Sequence, residues 1–310
     1  MKAMPSKEII EESKAIFKKV PFLTCEVSPR KKVKINLSGC NFNCKGCFAI
    51  AKKDVGREFS VNGLLDLLVK SCQLIYGGLV EDVQMTGGEP TKDPKYLLHL
   101  IQGLRKLGIN KIGISTNGYM LDKDLVEKLK SLSVDYIKLD LKAYTEEVHR
   151  WYTDKSNVNV LRAVRLLHDY GLNFYVRTIF IPDTIDIPEI EKIAKFLSSI
   201  DKDILYRLYE FAPEQLDAKL SRKPKEEEML GAFNIAKKYL NNVEFFVYPE
   251  SKISGYKTAY DPNYKIVEVR SDELLDNFRK VDEIAKSVNR NWDLQYFTMD
   301  QVLSFKGERI

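Results

Sequence analysis

No stretch of the 310 residues approaches the roughly 20 consecutive apolar residues that a membrane-spanning helix requires. The first twenty residues lack an apolar core as well. They mix Lys2, Lys7, Lys14 and Lys18 with Glu8, Glu11 and Glu12, a pattern unlike a secretory signal and too acidic for a transit peptide. The expectation is a cytoplasmic protein with no membrane partner. Histidine is scarce: His99, His149 and His168 stand far apart, which leaves no histidine-rich metal site. Five cysteines in a chain this long do not make a disulfide framework. The net charge of +5 is small for this length, and its dense basic runs, Arg30-Lys31-Lys32 and Arg222-Lys223-Pro224-Lys225, read as solvated loops. A nucleic-acid partner is permitted by that charge but not indicated, because dedicated binders gather their basic residues on one face. There is no repeat and no low-complexity segment. With 44% apolar and 30% charged residues, the chain has the composition of a globular protein long enough to bury a large core.

Three of the five cysteines fall within eight residues, Cys40-Asn-Phe-Asn-Cys44-Lys-Gly-Cys47. They follow the alternating run Val33-Lys34-Ile35-Asn36-Leu37, which reads as a strand. A loop this short can wrap one iron–sulfur cube and offer thiolates to three irons. Such clusters are ordinarily held by four cysteines, so a triplet leaves one iron open to a small molecule. Structural zinc needs four ligands, and only Cys44 and Cys47 form a zinc-like pair. Cys25 and Cys72 lie elsewhere and read as packing residues.

From Lys32 onward strands and helices alternate. Strands are predicted near 32–37, 80–85, 111–115, 135–141, 173–181, 204–211 and 243–248, with helices between them. Six such units fit an incomplete (β/α)6 barrel, although an open parallel sheet gives the same pattern. A short amphipathic helix is expected before Pro21. The tail is predicted to hold a short strand at 267–269 and a helix at 272–288. The implied division is an N-terminal helical extension (1–31), a core (32–248) and a C-terminal extension (249–310). Polar residues gather at successive strand ends, where active groups of such barrels sit: the cysteine loop, Gly87-Gly88-Glu89, Ser115-Thr116-Asn117 and Asp140-Leu141-Lys142. Glycines at such ends let backbone approach a ligand closely. Ionised Glu89 suits an ammonium donor, and Lys142 suits a carboxylate.

The triplet after a first strand, with Gly87-Gly88-Glu89-Pro90 after a second, resembles the radical S-adenosylmethionine (SAM) superfamily. The resemblance implies a partial (β/α)6 barrel of the TIM-like type. It also implies a [4Fe–4S] cluster on Cys40, Cys44 and Cys47, with the amino and carboxylate groups of SAM on the fourth iron. A reduced cluster then cleaves SAM, and the resulting 5′-deoxyadenosyl radical abstracts hydrogen from a substrate. The electron is expected from a flavodoxin- or ferredoxin-type partner. Within the superfamily the pattern is similar to the activating enzymes of glycyl-radical enzymes, such as pyruvate formate-lyase, through Thr116-Asn117-Gly118, Leu139-Asp140-Leu141-Lys142 and Val176-Arg177. The resemblance places Gly46, Phe48, Gly87, Gly88, Glu89, Ser115, Asn117, Asp140, Lys142 and Arg177 at the SAM site, with Asp140 near a monovalent cation. Departures are Ser115 for an aspartate, Gly46 for an aromatic residue, Phe48-Ala49 for His-Asn, and no histidine after the sixth strand. Cobalamin is not supported, since its usual Asp-x-His-x-x-Gly signature is absent. Two cysteines are too few for auxiliary clusters. Three functions follow as expectations: glycyl-radical installation, modification of a protein side chain, RNA base or metabolite with the tail shaping the site, and a non-catalytic scaffold. Under the second, removing residues after Pro249 should abolish turnover and leave SAM cleavage.

Overall fold

Val33, Ile35 and Leu37 alternate along β3 (Lys32–Leu37), and all three are buried against the helices on one side. The same alternation recurs in every strand beside it. The computed structural model describes residues 16–47, 49–213, 220–247, 257–258, 265–287 and 295–306. Six further strands run parallel to β3: β5 (Asp82–Gly87), β6 (Lys111–Thr116), β7 (Tyr136–Asp140), β8 (Phe174–Phe180), β9 (Tyr206–Glu210) and β10 (Val243–Val247). Beyond β10 lies the two-residue β11 (Lys257–Thr258). Parallel strands packed on both faces read as continuous apolar runs. Here Ile112, Ile114, Ile137, Leu139 and Val176 are fully buried, while Lys138, Asp140 and Arg177 occupy the opposite face. One face is core. The other is polar and carries the chemistry.

Helices cover the apolar face. In α1 (Val61–Tyr76), Leu64, Leu67, Leu68 and Cys72 make the inward stripe. Ser60 caps the helix by accepting from Gly63 N at 3.2 Å, and Gly77 ends it with a φ of 74°. Next come α2 (Pro94–Lys106), α3 (Lys123–Ser131), α4 (Glu146–Thr153), α5 (Val158–Asp169), α6 (Ile187–Ser198) and α7 (Glu226–Lys237). The helical pattern of 146–170 is expected to break near Asn157, and the gap between α4 and α5 lies there. Asp93 precedes α2 without capping it, because its carboxylate pairs with Lys18 instead.

The flanks differ from expectation. Residues 1–15 of the predicted N-terminal helix lie outside the described residues. Its last turn is not helical: β1 (Phe17–Val20) pairs antiparallel with β4 (Arg57–Ser60), satisfying its backbone across the chain. β2 (Phe22–Ser28) then joins the main sheet antiparallel to β3. The tail joins too. β12 (Lys265–Arg270) pairs antiparallel with β2, and β13 (Gln295–Thr298) pairs parallel with β12. The eleven-stranded order is β11-β10-β9-β8-β7-β6-β5-β3-β2-β12-β13. Predicted strand 267–269 is the centre of β12, and predicted helix 272–288 is a 3-10 turn followed by α8 (Leu275–Ser287). Gly255, Pro262 and the tyrosines of 251–264 predict a loop there, which apart from 257–258 lies outside the described residues.

Val269, Met299 and Val302 are fully buried, so the tail contributes to the core. The short α9 (Met299–Leu303) lies on α1, where Lys70 donates to Leu303 O at 2.9 Å. Removing everything after Pro249 therefore strips the β2 edge of its partner, and it cannot serve as a clean test of the tail. Among the described residues no helix is long and apolar enough to cross a membrane.

Candidate active site

The cysteine loop leaves the end of β3 and is pinned from three directions. Gly39 N donates to Ala51 O (2.7 Å) and Lys53 O (3.0 Å). The C-terminal carbonyls of α4 take two further amides: Asn43 N donates to Thr153 O (2.9 Å) and Lys45 N to Tyr152 O (3.0 Å). From the β5 side, Gly88 N donates to Leu37 O (2.8 Å) and Glu89 N to Gly39 O (2.9 Å).

That last contact explains the two glycines. Gly87 has a φ of 109°, and a Cβ there would lie 2.6 Å from Leu37 O. A Cβ on Gly88 would lie 2.2 Å from Gly39 O and 2.5 Å from Ala51 O. The close approach these glycines permit is to the backbone of the cysteine loop.

Glu89 is likewise turned inward. Its Oε1 accepts from Thr91 N (2.9 Å), Thr91 Oγ1 (2.6 Å) and Thr116 Oγ1 (2.6 Å), and its Oε2 accepts from Asn117 N (2.6 Å). Burial pushes its carboxyl pKa up, while these donors oppose the shift. With four protein donors engaged, the carboxylate works as a brace between the β5 and β6 ends. Asn117 extends the brace to the loop, donating from Nδ2 to Asn41 Oδ1 at 2.7 Å. Ser115 Oγ accepts from Gln84 Nε2 at 2.7 Å, deeper in the sheet.

The remaining expected residues meet at a second place. Gly46, Asp140, Lys142 and Arg177 line one cleft of about 200 Å³, together with Tyr209 and Phe211. Arg177 donates to Asp140 Oδ1 from both Nε and Nη2 at 2.7 Å, and Lys142 Nζ donates to Asp140 Oδ2 at 3.1 Å. Burial alone would raise the Asp140 carboxyl; the two cations overcome it and hold it below the usual carboxylate range. The Lys142 ammonium is held up in turn: burial, the largest influence, would lower it, and Asp140 together with Cys44 and Tyr152 outweighs burial. Two cations on one carboxylate leave the group at +1, suited to a further anion.

Gly46 faces Tyr152. A Cβ at Gly46 would meet the Tyr152 hydroxyl at 2.7 Å and Phe211 Cε2 at 3.3 Å, so the buried tyrosine fills the space an aromatic neighbour of Cys47 would claim. Tyr152 was not legible as a site residue; only the packing of α4 against the loop brings it there. Phe48 lies outside the described residues.

The three thiols are free and half-buried. Burial pushes Cys44 up to about 12 and raises Cys40, with the Lys142 ammonium opposing both. Cys40 and Cys47 line a second, larger cleft of about 760 Å³, with Lys52, Lys53 and the tail residues Leu274 and Asn277. Among the described residues no three His, Cys, Asp or Glu side chains converge on a single ion. Asn41, beside Cys40 on the same cleft, keeps its buried Nδ2 without an acceptor among the described residues. Three thiols of one fixed loop, an orphan N–H donor and a cationic cleft fit a cluster that carries a ligand with amino and carboxylate groups.

Fold and site thus define an enzyme that holds an iron–sulfur cluster at the mouth of a partial barrel. The family profile described as the Radical SAM superfamily matches residues 37–197, just over half of the chain. The chain is 37% identical over 225 residues (71% of this chain, 83% of the other) to MJ1632 of Methanocaldococcus jannaschii, provisionally named a glycyl-radical enzyme activating enzyme. A second protein of that organism with the same provisional name, MJ1227, is 27% identical over 234 residues, 72% of this chain and 92% of its own. Among solved structures, native anSMEcpe with bound AdoMet and the Cp18Cys peptide superposes with a TM-score of 0.52 at 18% identity, over 67% of this chain and 60% of that one. This likeness shows the fold. The chain belongs to the radical SAM superfamily. It is an enzyme that uses a [4Fe–4S] cluster and SAM for reductive SAM cleavage and hydrogen-atom abstraction.

Proposed function

We propose that the protein installs a glycyl radical on a partner enzyme. The observation that carries this reading is the 37% identity, over most of both chains, to a relative named for that activity. In this reading Cys40, Cys44 and Cys47 hold the cluster. When bound, cluster and SAM together supply one-electron cleavage of SAM and abstraction of a hydrogen atom from a glycine Cα. The chain's own residues do the positioning. Lys142 and Arg177, at a net +1 with Asp140, receive the SAM carboxylate, which leaves the backbone of the Gly87–Gly88 turn and the free face of Asn41 toward the rest of the cofactor. Asp140 is already spanned by two cations, so it sets their geometry rather than binding a third. The reductant, a small flavodoxin- or ferredoxin-type carrier, approaches from the cysteine-loop side.

The tail is assigned a share of the site. Leu274 and Asn277 close the larger cleft against Cys40 and Cys47, so 249–310 shapes access to the cluster while 32–248 binds the cofactors. The test is anaerobic reconstitution with SAM, a reductant and a candidate glycyl-radical enzyme encoded near it. A doublet in electron paramagnetic resonance, dependent on Cys44, is expected. Production of 5′-deoxyadenosine without any protein radical across candidate partners would move the protein to modification of another substrate.

A further inference from the structure

The polar face of the sheet holds more charge than the cleft uses. Register partners share a face, so Lys34–Gln84, Ser115–Lys138–Tyr175 and Asp140–Arg177–Arg207–Glu244 form rows across the concave side. Lys138 stands two residues before Asp140 on β7, directly beneath the cleft.

Nearly every charge on this face has a partner. Lys34 pairs with Glu26 at 2.5 Å, Lys32 with Asp82 at 3.6 Å, Arg207 with Glu244 at 2.7 Å, and Arg177 with Asp140. Lys138 is the exception. Its ammonium lies 5.5 Å from the centre of the Tyr136 ring, and among the described residues no carboxylate pairs with it. Burial pulls it down to about 6, and the neighbouring Lys32, Arg177 and Lys34 add to the effect against Glu26. A half-buried lysine without a counter-ion holds its proton weakly. Packing would be served as well by methionine or leucine.

We infer that this face seats an anionic group of the substrate, a carboxylate or a phosphate, on the Lys138 ammonium beneath the SAM cleft. Ser115, with its Oγ held by Gln84, and Tyr175, whose ring carries the Arg207 guanidinium at 4.1 Å, flank the seat in the same row. An arriving anion draws a proton onto the Lys138 amine and supplies its counter-charge, and its depth fixes which substrate carbon reaches the cleft above. The inference rests on the proposed site of hydrogen abstraction but not on glycine being the substrate.

The test uses the cluster-loaded, SAM-saturated enzyme under nitrogen, titrated calorimetrically with malonate and, separately, inorganic phosphate. At least one should bind, which distinguishes a carboxylate from a phosphate seat. Lys138→Met should weaken that binding at least about tenfold, the scale of a hydrogen bond to a charged group, and Lys138→Arg should restore most of it. Iron content equal to the wild type certifies that the variants are folded. Neither anion binding to the wild type, or equal binding by Lys138→Met, overturns the inference. So does a Lys138→Met enzyme that loses SAM affinity and keeps its anion affinity, since Lys138 would then serve the cofactor. A missing glycyl doublet leaves this result untouched, so the two readings fail separately.

Discussion

Asp140 is the residue on which the cleft's electrostatics turn. Its carboxylate spans Arg177 and Lys142, and its pKa is held below the ordinary value of about 3.9. A carboxyl depressed on folding stabilises the native state above its unfolded pKa, and that contribution disappears as pH falls through the folded value. The wild type should therefore lose stability steadily below about pH 4, and Asp140→Asn should flatten that part of the acid limb. Denaturant unfolding across that range checks it; parallel acid limbs would show that the pairing adds nothing. At neutral pH the same variant leaves two cations facing each other. SAM binding should change with it, because the positions of Lys142 and Arg177 are set by the carboxylate they share.

At the scale of elements, the junction between the β5 end and the cysteine loop is made of backbone alone. Gly88→Ala would place a methyl group 2.2 Å from Gly39 O and 2.5 Å from Ala51 O, neither of which is a flexible side-chain end. The turn and loop must part. The expected outcome is a protein of near-normal sheet content that binds much less iron and is less stable by about 1–3 kcal/mol, the usual range for overpacking. Iron quantification with thermal unfolding reads both. Full iron loading would mean the junction is slack. This is also where sequence reasoning met its limit. The cysteine triplet was legible because its spacing is itself the ligand geometry. α1 and α2 were legible because Leu65, Leu68, Cys72 and Ile75, or Leu97, Leu100 and Leu104, repeat at helical intervals, although in α1 the structure buries Leu64 and Leu67 with Leu68 and Cys72 and leaves Leu65 and Ile75 half-exposed. The inward turn of Glu89 was not, because its partners Thr116 and Asn117 arrive from another strand end. β1, β4 and β13 carry four residues each and exist through their partners, so no local period announces them.

Across the whole molecule, a single sheet joins the parts that composition divides. The tail adds β12 and β13 beyond β2, and Arg270, almost wholly buried, ties β12 to α8 through two hydrogen bonds to Asp282 at 2.7 and 2.9 Å. Deleting 265–306 should yield aggregated or markedly destabilised protein rather than an active core, since β2 would become an exposed edge and the pockets around Val269, Met299 and Val302 would open. A soluble, cooperatively unfolding deletion protein that still binds iron would refute this. The polar face was partly legible, through Lys138, Asp140 and Lys142 alternating with Ile137, Leu139 and Leu141. Its extent depends on the register of seven parallel strands, which one chain read in order does not display.

The backbone hydrogen bonds that hold the cysteine loop are made with Ala51 and Lys53 at its root, Tyr152 and Thr153 at its crest, and along the β5 junction through Leu37 and Gly39. A loop fastened in this way takes its path from the barrel around it, so the three thiols are placed as one unit by strand ends and a helix terminus rather than one by one by their own rotamers.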